Sequence, residues 1–201
     1  EDRNKMLIKI NLNENFDSLN IIKSINQYKK FFHMNNFNII KSNLNFDDDS
    51  KLVFLVGFPR SGTTLLDSIL RSHSKIKVLE EKPFILDIRH NYFKKYKNDL
   101  SCLLNLTQKD KDLIRKDYFK KILYNKSDYN KIIVDKFPLS IIELGFIKCI
   151  FPKSKIILSM RHPCDVVTSC FFSSFKINDA MINFLKWKDT IHFYNKVFDL
   201  F

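Results

Sequence analysis

Residues 52–66 read LVFLVGFPRSGTTLL, and no other stretch of the chain limits its fold so strongly. The apolar residues Leu52-Val53-Phe54-Leu55-Val56 run unbroken to Gly57, the pattern of a parallel strand buried on both faces. A helix is predicted next over residues 63–73, with Leu65, Leu66, Ile69 and Leu70 on the side that docks on the sheet. Between the two lies GFPRSGTT, whose GxxxxG spacing is that of a phosphate-binding loop, where backbone N–H groups and a helix N-terminus converge on an anion. The chain holds only three glycines, Gly57, Gly62 and Gly145, where average usage would give about fourteen. Two of them bracket this loop, as expected where a Cβ would block a backbone conformation or a close approach.

Where the common GxxxxGK[ST] loop carries a lysine for the β- and γ-phosphates, this chain has Thr63, and the nearest positive charge is Arg60, inside the loop. A Mg-dependent NTPase is therefore disfavoured. PRSGTT after a hydrophobic strand resembles the 5′-phosphosulfate loop of sulfotransferases that use 3′-phosphoadenosine 5′-phosphosulfate (PAPS). Taken alone, the motif is also open to a blander reading, a chance glycine loop at a strand end.

At 201 residues the chain can bury one core of domain size without disulfides or metals. The reading is one domain over residues 51–201, preceded by residues 1–50 as a helical lead-in or the end of an upstream domain. Cys102, Cys149, Cys164 and Cys170 form no CxxC and no metal-ligand spacing with the histidines, which suggests a reduced, cytoplasmic protein and no metal. No apolar run approaches the ~20 residues of a membrane span. Because the sequence opens on Glu1 rather than Met, it reads as a fragment, and an upstream targeting or repeat segment stays open. The net charge of +12 lies wholly within residues 51–201 and is densest over residues 89–131. It suits an electrostatic funnel for an anionic co-substrate and an acidic acceptor, against the competing readings of nucleic-acid binding and of a lysine-rich solvated face.

Taken in order, residues 16–32 read as a helix and residues 47–50 as a polar turn. A second strand over residues 76–79 ends at Glu80-Glu81, and Lys82-Pro83 opens a helix. Carboxylates at the end of a parallel strand share the sheet edge with the phosphate loop, although an acidic pair at a helix start is also favourable with the dipole alone. The tyrosylprotein branch of the sulfotransferases and its bacterial relatives place a paired Glu here. The resemblance implies that Glu81 is the base that takes a proton from an acceptor hydroxyl. His73 and His90 fall in no matching motif and read as structural. Residues 85–126 suggest two basic helices forming one wall of a cleft.

A third strand over residues 131–135 leads into Asp135-Lys136-Phe137-Pro138, similar to the DKxP element of bacterial sulfotransferases. That likeness implies that Lys136 faces the oxygen bridging sulfate and phosphate; a surface lysine at a strand end is the alternative. Residues 139–150 read as an apolar helix and residues 155–160 as a fourth strand, which runs into RHPCDVVTS. This RxPxDVxxS pattern resembles the 3′-phosphate site of PAPS enzymes. Arg161 would supply a planar two-donor fork and Ser169 a hydroxyl, while pairing of Arg161 with Asp165 is the alternative. Residues 179–201 are predicted as one amphipathic helix with Phe184, Trp187, Ile191, Tyr194 and Phe198 as its core stripe. Sulfotransferases of this kind normally continue further, so truncation at the C-terminus is expected and activity of the chain is left open.

Strands alternating with helices indicate an α/β fold of three layers, P-loop-like, with a parallel sheet of about four or five strands flanked by helices. The resemblance, over residues 50–200, implies sulfuryl transfer from PAPS to a hydroxyl, with protein tyrosine as one candidate acceptor. The amides of Arg60, Ser61, Gly62, Thr63 and Thr64 would hold the 5′-phosphate, Arg60 and Lys136 would neutralise developing charge, and Arg161 with Ser169 would hold the 3′-phosphate. An acidic peptide or saccharide suits the basic charge, with no nucleic-acid partner. A degenerate P-loop kinase or NTPase and a non-catalytic nucleotide-binding module are the alternatives.

Overall fold

Strand β1 (Leu52–Gly57) is buried at every residue, as its unbroken apolar run requires. The computed structural model describes residues 4, 6–7, 16–33, 50–79, 81–96, 99–122 and 130–200. β1 lies between β3 (Ile132–Lys136) and β4 (Lys155–Ser159), and β2 (Ile76–Val78) flanks β3, giving a sheet in the order β2-β3-β1-β4 with all pairs parallel. The chain leaves β1 toward β2 on one side and later passes from β3 to β4 on the other. That reversal opens a crevice at the carboxyl end of β1, where open α/β sheets bind ligands. Register brings the motifs to this one edge, with Lys136 beside Leu55 and Ser159 beside Gly57.

Alternation along β1 divides the core between two faces. Phe54 and Val56 point into a large cluster, built with α1 (Ser18–Phe31), α3 (Phe84–Phe93), α4 (Gln108–Ile122), α5 (Leu144–Ile150), α6 (Pro163–Phe172) and α7 (Trp187–Leu200). Val53 and Leu55 point the other way, into a small cluster with Val78 and Val134 that α2 (Thr63–Arg71) covers through Leu66 and Leu70. The sheet is thus flanked by helices on both faces, the predicted α/β fold. Helix α1 is fastened to the large cluster by Ile22, Ile25 and Tyr28. The Tyr28 hydroxyl donates a short hydrogen bond to the fully buried Glu143, which Arg89 Nε approaches to 3.1 Å.

Several elements differ from the sequence reading. Of the four residues expected to dock helix α2, Leu66 and Leu70 do, but Leu65 is 68% exposed and Ile69 58% exposed, while Thr63 and Asp67 are buried. The face toward the sheet is Thr63, Leu66, Asp67 and Leu70, the i, i+3, i+4, i+7 row, and it accepts a carboxylate because that carboxylate is paired. Residues 139–150 divide into a 3₁₀ turn, Pro138–Glu143, and α5. The tail is not one helix, because Asn178 Oδ1 accepts the amides of Ala180 and Met181 and caps a 3₁₀ turn, Met181–Phe184, before α7 begins afresh. The buried row of α7 is accordingly Thr190, Phe193, Tyr194 and Val197, with Trp187 and Ile191 exposed. The basic stretch is not purely a solvated face, since Lys111 and Arg115 of α4 are buried and Arg115 Nε donates to the Ile150 carbonyl at 2.6 Å. Glu80, the polar turn at residues 47–49 and Phe201 lie outside the described residues.

Candidate active site

The loop after β1 is shaped by two backbone conformations that most side chains resist. Gly62, with φ 101°, and Arg60, with φ 70°, both occupy the left-handed region, for Arg60 a cost that neighbouring contacts must offset. Gly57 answers to a close approach instead, because a Cβ there would lie 2.6 Å from the Ser159 carbonyl oxygen and 2.6 Å from Ser61 Oγ. The loop carbonyls are tied away from its concave side. The Phe58 carbonyl accepts from the Ser61 amide (3.1 Å), that of Pro59 from the Cys170 thiol (3.2 Å) and that of Ser61 from the Ser159 hydroxyl (2.9 Å). The first intrahelical bond of α2 runs from the Leu66 amide to the Gly62 carbonyl, so the amides of Thr63, Thr64 and Leu65 precede any i−4 acceptor within the helix. Free amide donors at a helix N-terminus are the arrangement that favours an anion.

A cavity of about 500 Å³ opens at this mouth, within the size range of small-ligand sites. Of the residues singled out in the sequence, Arg60, Gly62, Thr63, Thr64, Glu81 and Arg161 line it together. Ser61, Lys136 and Ser169 do not. The Ser61 side chain is turned inward over Gly57 and its hydroxyl is buried without a hydrogen-bond partner, while its amide is taken by Phe58. Ser169 meets the site through Arg60, whose Nε donates to Ser169 Oγ at 3.0 Å, so the two motifs, 109 residues apart in sequence, touch directly. Lys136 is 5% exposed and stands behind Glu81, donating to Glu81 Oε2 at 2.5 Å with Asp67 Oδ2 3.5 Å away. Arg161 is half exposed and lies 3.4 Å from Asp165, the pairing that the alternative reading anticipated, while also facing the cavity.

The remaining wall was not legible as a motif. Phe137, Pro138 and Leu139 close one side, and Phe175, Asn178 and Met181, from the connection between α6 and α7, close another. No spacing marks the latter three, because they gather only once the 3₁₀ turn capped by Asn178 has formed. Asp67 was missed as well, although a carboxylate in the buried row of an amphipathic helix is a signal that the sequence carries.

Two buried groups beside the site have shifted proton affinities. Burial pushes the Asp135 carboxyl up to about 7, opposed by the hydrogen bond it accepts from the Tyr118 hydroxyl at 2.7 Å. Burial likewise pushes the Cys170 thiol up to about 12, with Arg60 opposing, which keeps it a neutral donor to the loop. Among the described residues no group of three or more His, Cys, Asp or Glu could hold a metal ion, and no helix is long and apolar enough to cross a membrane.

The sequence matches the model of the Sulfotransferase family over residues 53–200. An uncharacterized protein of Aquifex aeolicus is 30% identical over 144 residues, which are 67% of this chain and 19% of that protein. Protein-tyrosine sulfotransferase 1 of Homo sapiens is 25% identical over 155 residues, 75% of this chain and 41% of the relative. Protein-tyrosine sulfotransferase A of Caenorhabditis elegans is 25% identical over 162 residues, 76% of this chain and 42% of the relative. The chain therefore spans less than half the length of each of these relatives.

Proposed function

The chain belongs to the sulfotransferase family, and from that premise we propose that it transfers a sulfuryl group from PAPS to an acceptor hydroxyl, with protein tyrosine suggested by the names of the curated relatives and an acidic peptide by the net charge of +12. The observation that carries the proposal is the single cavity shared by the loop residues Arg60, Gly62, Thr63 and Thr64, the carboxylate of Glu81 and the guanidinium of Arg161. The Thr63 and Thr64 amides and hydroxyls would bind the 5′-phosphate side of the donor, in a mouth whose carbonyls are tied away from it. Arg161 would take the 3′-phosphate, which distinguishes PAPS from ATP, and Ser169 would act through its hydrogen bond to Arg60. The apolar walls at Phe137, Leu139 and Phe175 suit a nucleobase.

In the transfer, the acceptor oxygen attacks sulfur as the bond to the bridging oxygen breaks, and the electron pair leaves on phosphate. Glu81, 47% exposed at the cavity edge, takes the acceptor proton, and Lys136 and Arg60 offset charge on the leaving group. Glu81 is half exposed rather than buried, and its ion pair with Lys136 runs through Oε2, so the acceptor proton would be taken on Oε1.

The test is sulfate transfer from PAPS to a synthetic acidic tyrosine peptide, with calorimetry of adenosine 3′,5′-bisphosphate against ATP plus Mg. The expected result is bisphosphate binding that depends on the 3′-phosphate and turnover abolished by Glu81→Ala with nucleotide affinity retained. Unchanged bisphosphate affinity in Arg161→Ala would discard the 3′-site, and preference for ATP with Mg would favour a kinase-like module.

A further inference from the structure

Lys136 stands between two carboxylates that differ in how firmly the fold holds them. Glu81 belongs to the connection after β2 and its side chain is 47% exposed, whereas the Asp67 side chain, on α2, is 11% exposed. Arg71, one turn further along α2, grips Asp67 through a short bond from Nε and also donates from Nη2 to the Leu79 carbonyl at 3.0 Å. Asp67 is thereby fixed at the strand end from which the Glu81 segment departs. A carboxylate in the sheet-facing row of α2 is costly to bury unless its partners are in place, and Lys136 and Arg71 are those partners.

Resting on the sulfotransferase reading, we propose that Asp67 is a positioning residue, the fixed anion on which the Lys136 ammonium stays seated when Glu81 takes the acceptor proton. As the acceptor O–S bond forms and the S–O bond to phosphate breaks, the acceptor proton passes to the Glu81 carboxylate and cancels its charge. Asp67 is then the carboxylate left facing Lys136, and it holds the ammonium at the edge of the loop, where the leaving oxygen gathers charge. Without Asp67, the carboxylate that Lys136 keeps among the described residues is Glu81, whose charge the transferred proton removes. The role thus links α2, which begins at the anion-binding mouth, to the cation that ends β3.

The experiment uses Asp67→Asn, Asp67→Glu, Lys136→Met and the Asp67→Asn/Lys136→Met pair, in the PAPS and acidic tyrosine peptide assay with bisphosphate calorimetry and thermal melts. Asp67→Asn is expected to lower kcat at least about tenfold while bisphosphate affinity stays within about twofold, with partial rescue by Asp67→Glu. It is also expected to lower Tm by about 2–4 °C, a loss that shrinks in the Lys136→Met background because the partner is gone. Full kcat in Asp67→Asn, or the same Tm loss in both backgrounds, overturns the role. A wild type that binds no bisphosphate and transfers no sulfate overturns the sulfotransferase reading and this role with it, whereas an active wild type with an indifferent Asp67→Asn overturns this role alone. A wild type that binds the bisphosphate but leaves the peptide unsulfated passes the decision to the melting temperatures.

Discussion

Replacing Asp135 with asparagine isolates the electrostatic cost of burying an acid in the third strand. The carboxyl, 2% exposed, is pushed from its ordinary 3.8 to about 7, and the hydrogen bond from Tyr118 does not offset the lost hydration. The folded protein therefore keeps this proton up to about pH 7, whereas the unfolded chain gives it up near 3.8. Between those values the folded state binds the extra proton, so stability falls as pH rises. Below 3.8 both states are protonated and the group contributes nothing. Above 7 the penalty levels off at the full difference in proton affinity, roughly a thousandfold or about 4 kcal/mol, an upper bound once the interior relaxes. Asparagine cannot ionise, yet it retains an oxygen to accept the Tyr118 hydroxyl. Urea unfolding followed by circular dichroism from pH 4.5 to pH 8 should show Asp135→Asn gaining on the wild type from about 1 kcal/mol to as much as about 4 kcal/mol, with the gain levelling off above pH 7. Parallel profiles for the two proteins across that range would refute the reasoning, since they would mean that the acid is hydrated or already paired.

Three further outcomes are expected. Gly57→Ala should lose about 1–3 kcal/mol in urea unfolding, because the new methyl meets the Ser159 carbonyl oxygen, a backbone atom that cannot rotate away. Tyr28→Phe should lose about 1–3 kcal/mol, since it removes the hydroxyl that donates to the fully buried Glu143; a loss under 0.5 kcal/mol, roughly the scatter of surface substitutions, would show that α1 is held by its apolar contacts alone. Iodoacetamide on the native protein at pH 8 should modify the exposed Cys164 and spare Cys149 and Cys170, both buried and pushed up to about 12, as read by peptide mass spectrometry.

What the sequence disclosed and what it withheld have separate physical causes. The strand, loop and helix over residues 52–71 were legible because an unbroken apolar run, two glycines and a helical period are all local signals. The four strands and their parallel arrangement, though not their order in the sheet, followed from the same kind of evidence. The docking face of α2 was misread because apolar residues were assigned inward by type, while Asp67, made tolerable there by Arg71 and Lys136, takes the place of an apolar neighbour. The helical period marks Asp67 as a carboxylate beside apolar neighbours, but not the two cations, one from the third strand, that it meets. The tail was misread for a local reason, the Asn178 cap, which interrupts an otherwise continuous helical period. Phe175, Asn178 and Met181 join the cavity wall only through that interruption, so missing the cap meant missing them.

The ties from Ser159 and Cys170 to the loop carbonyls, with the contact between Arg60 and Ser169, carry a consequence for how recognition arises during folding. The most recognisable segment of the chain is not self-sufficient: its backbone is pulled into shape by groups encoded about a hundred residues later. A peptide bearing PRSGTT alone would lack the ties that hold these carbonyls. The shape of this loop therefore depends on the fourth strand being seated beside the first.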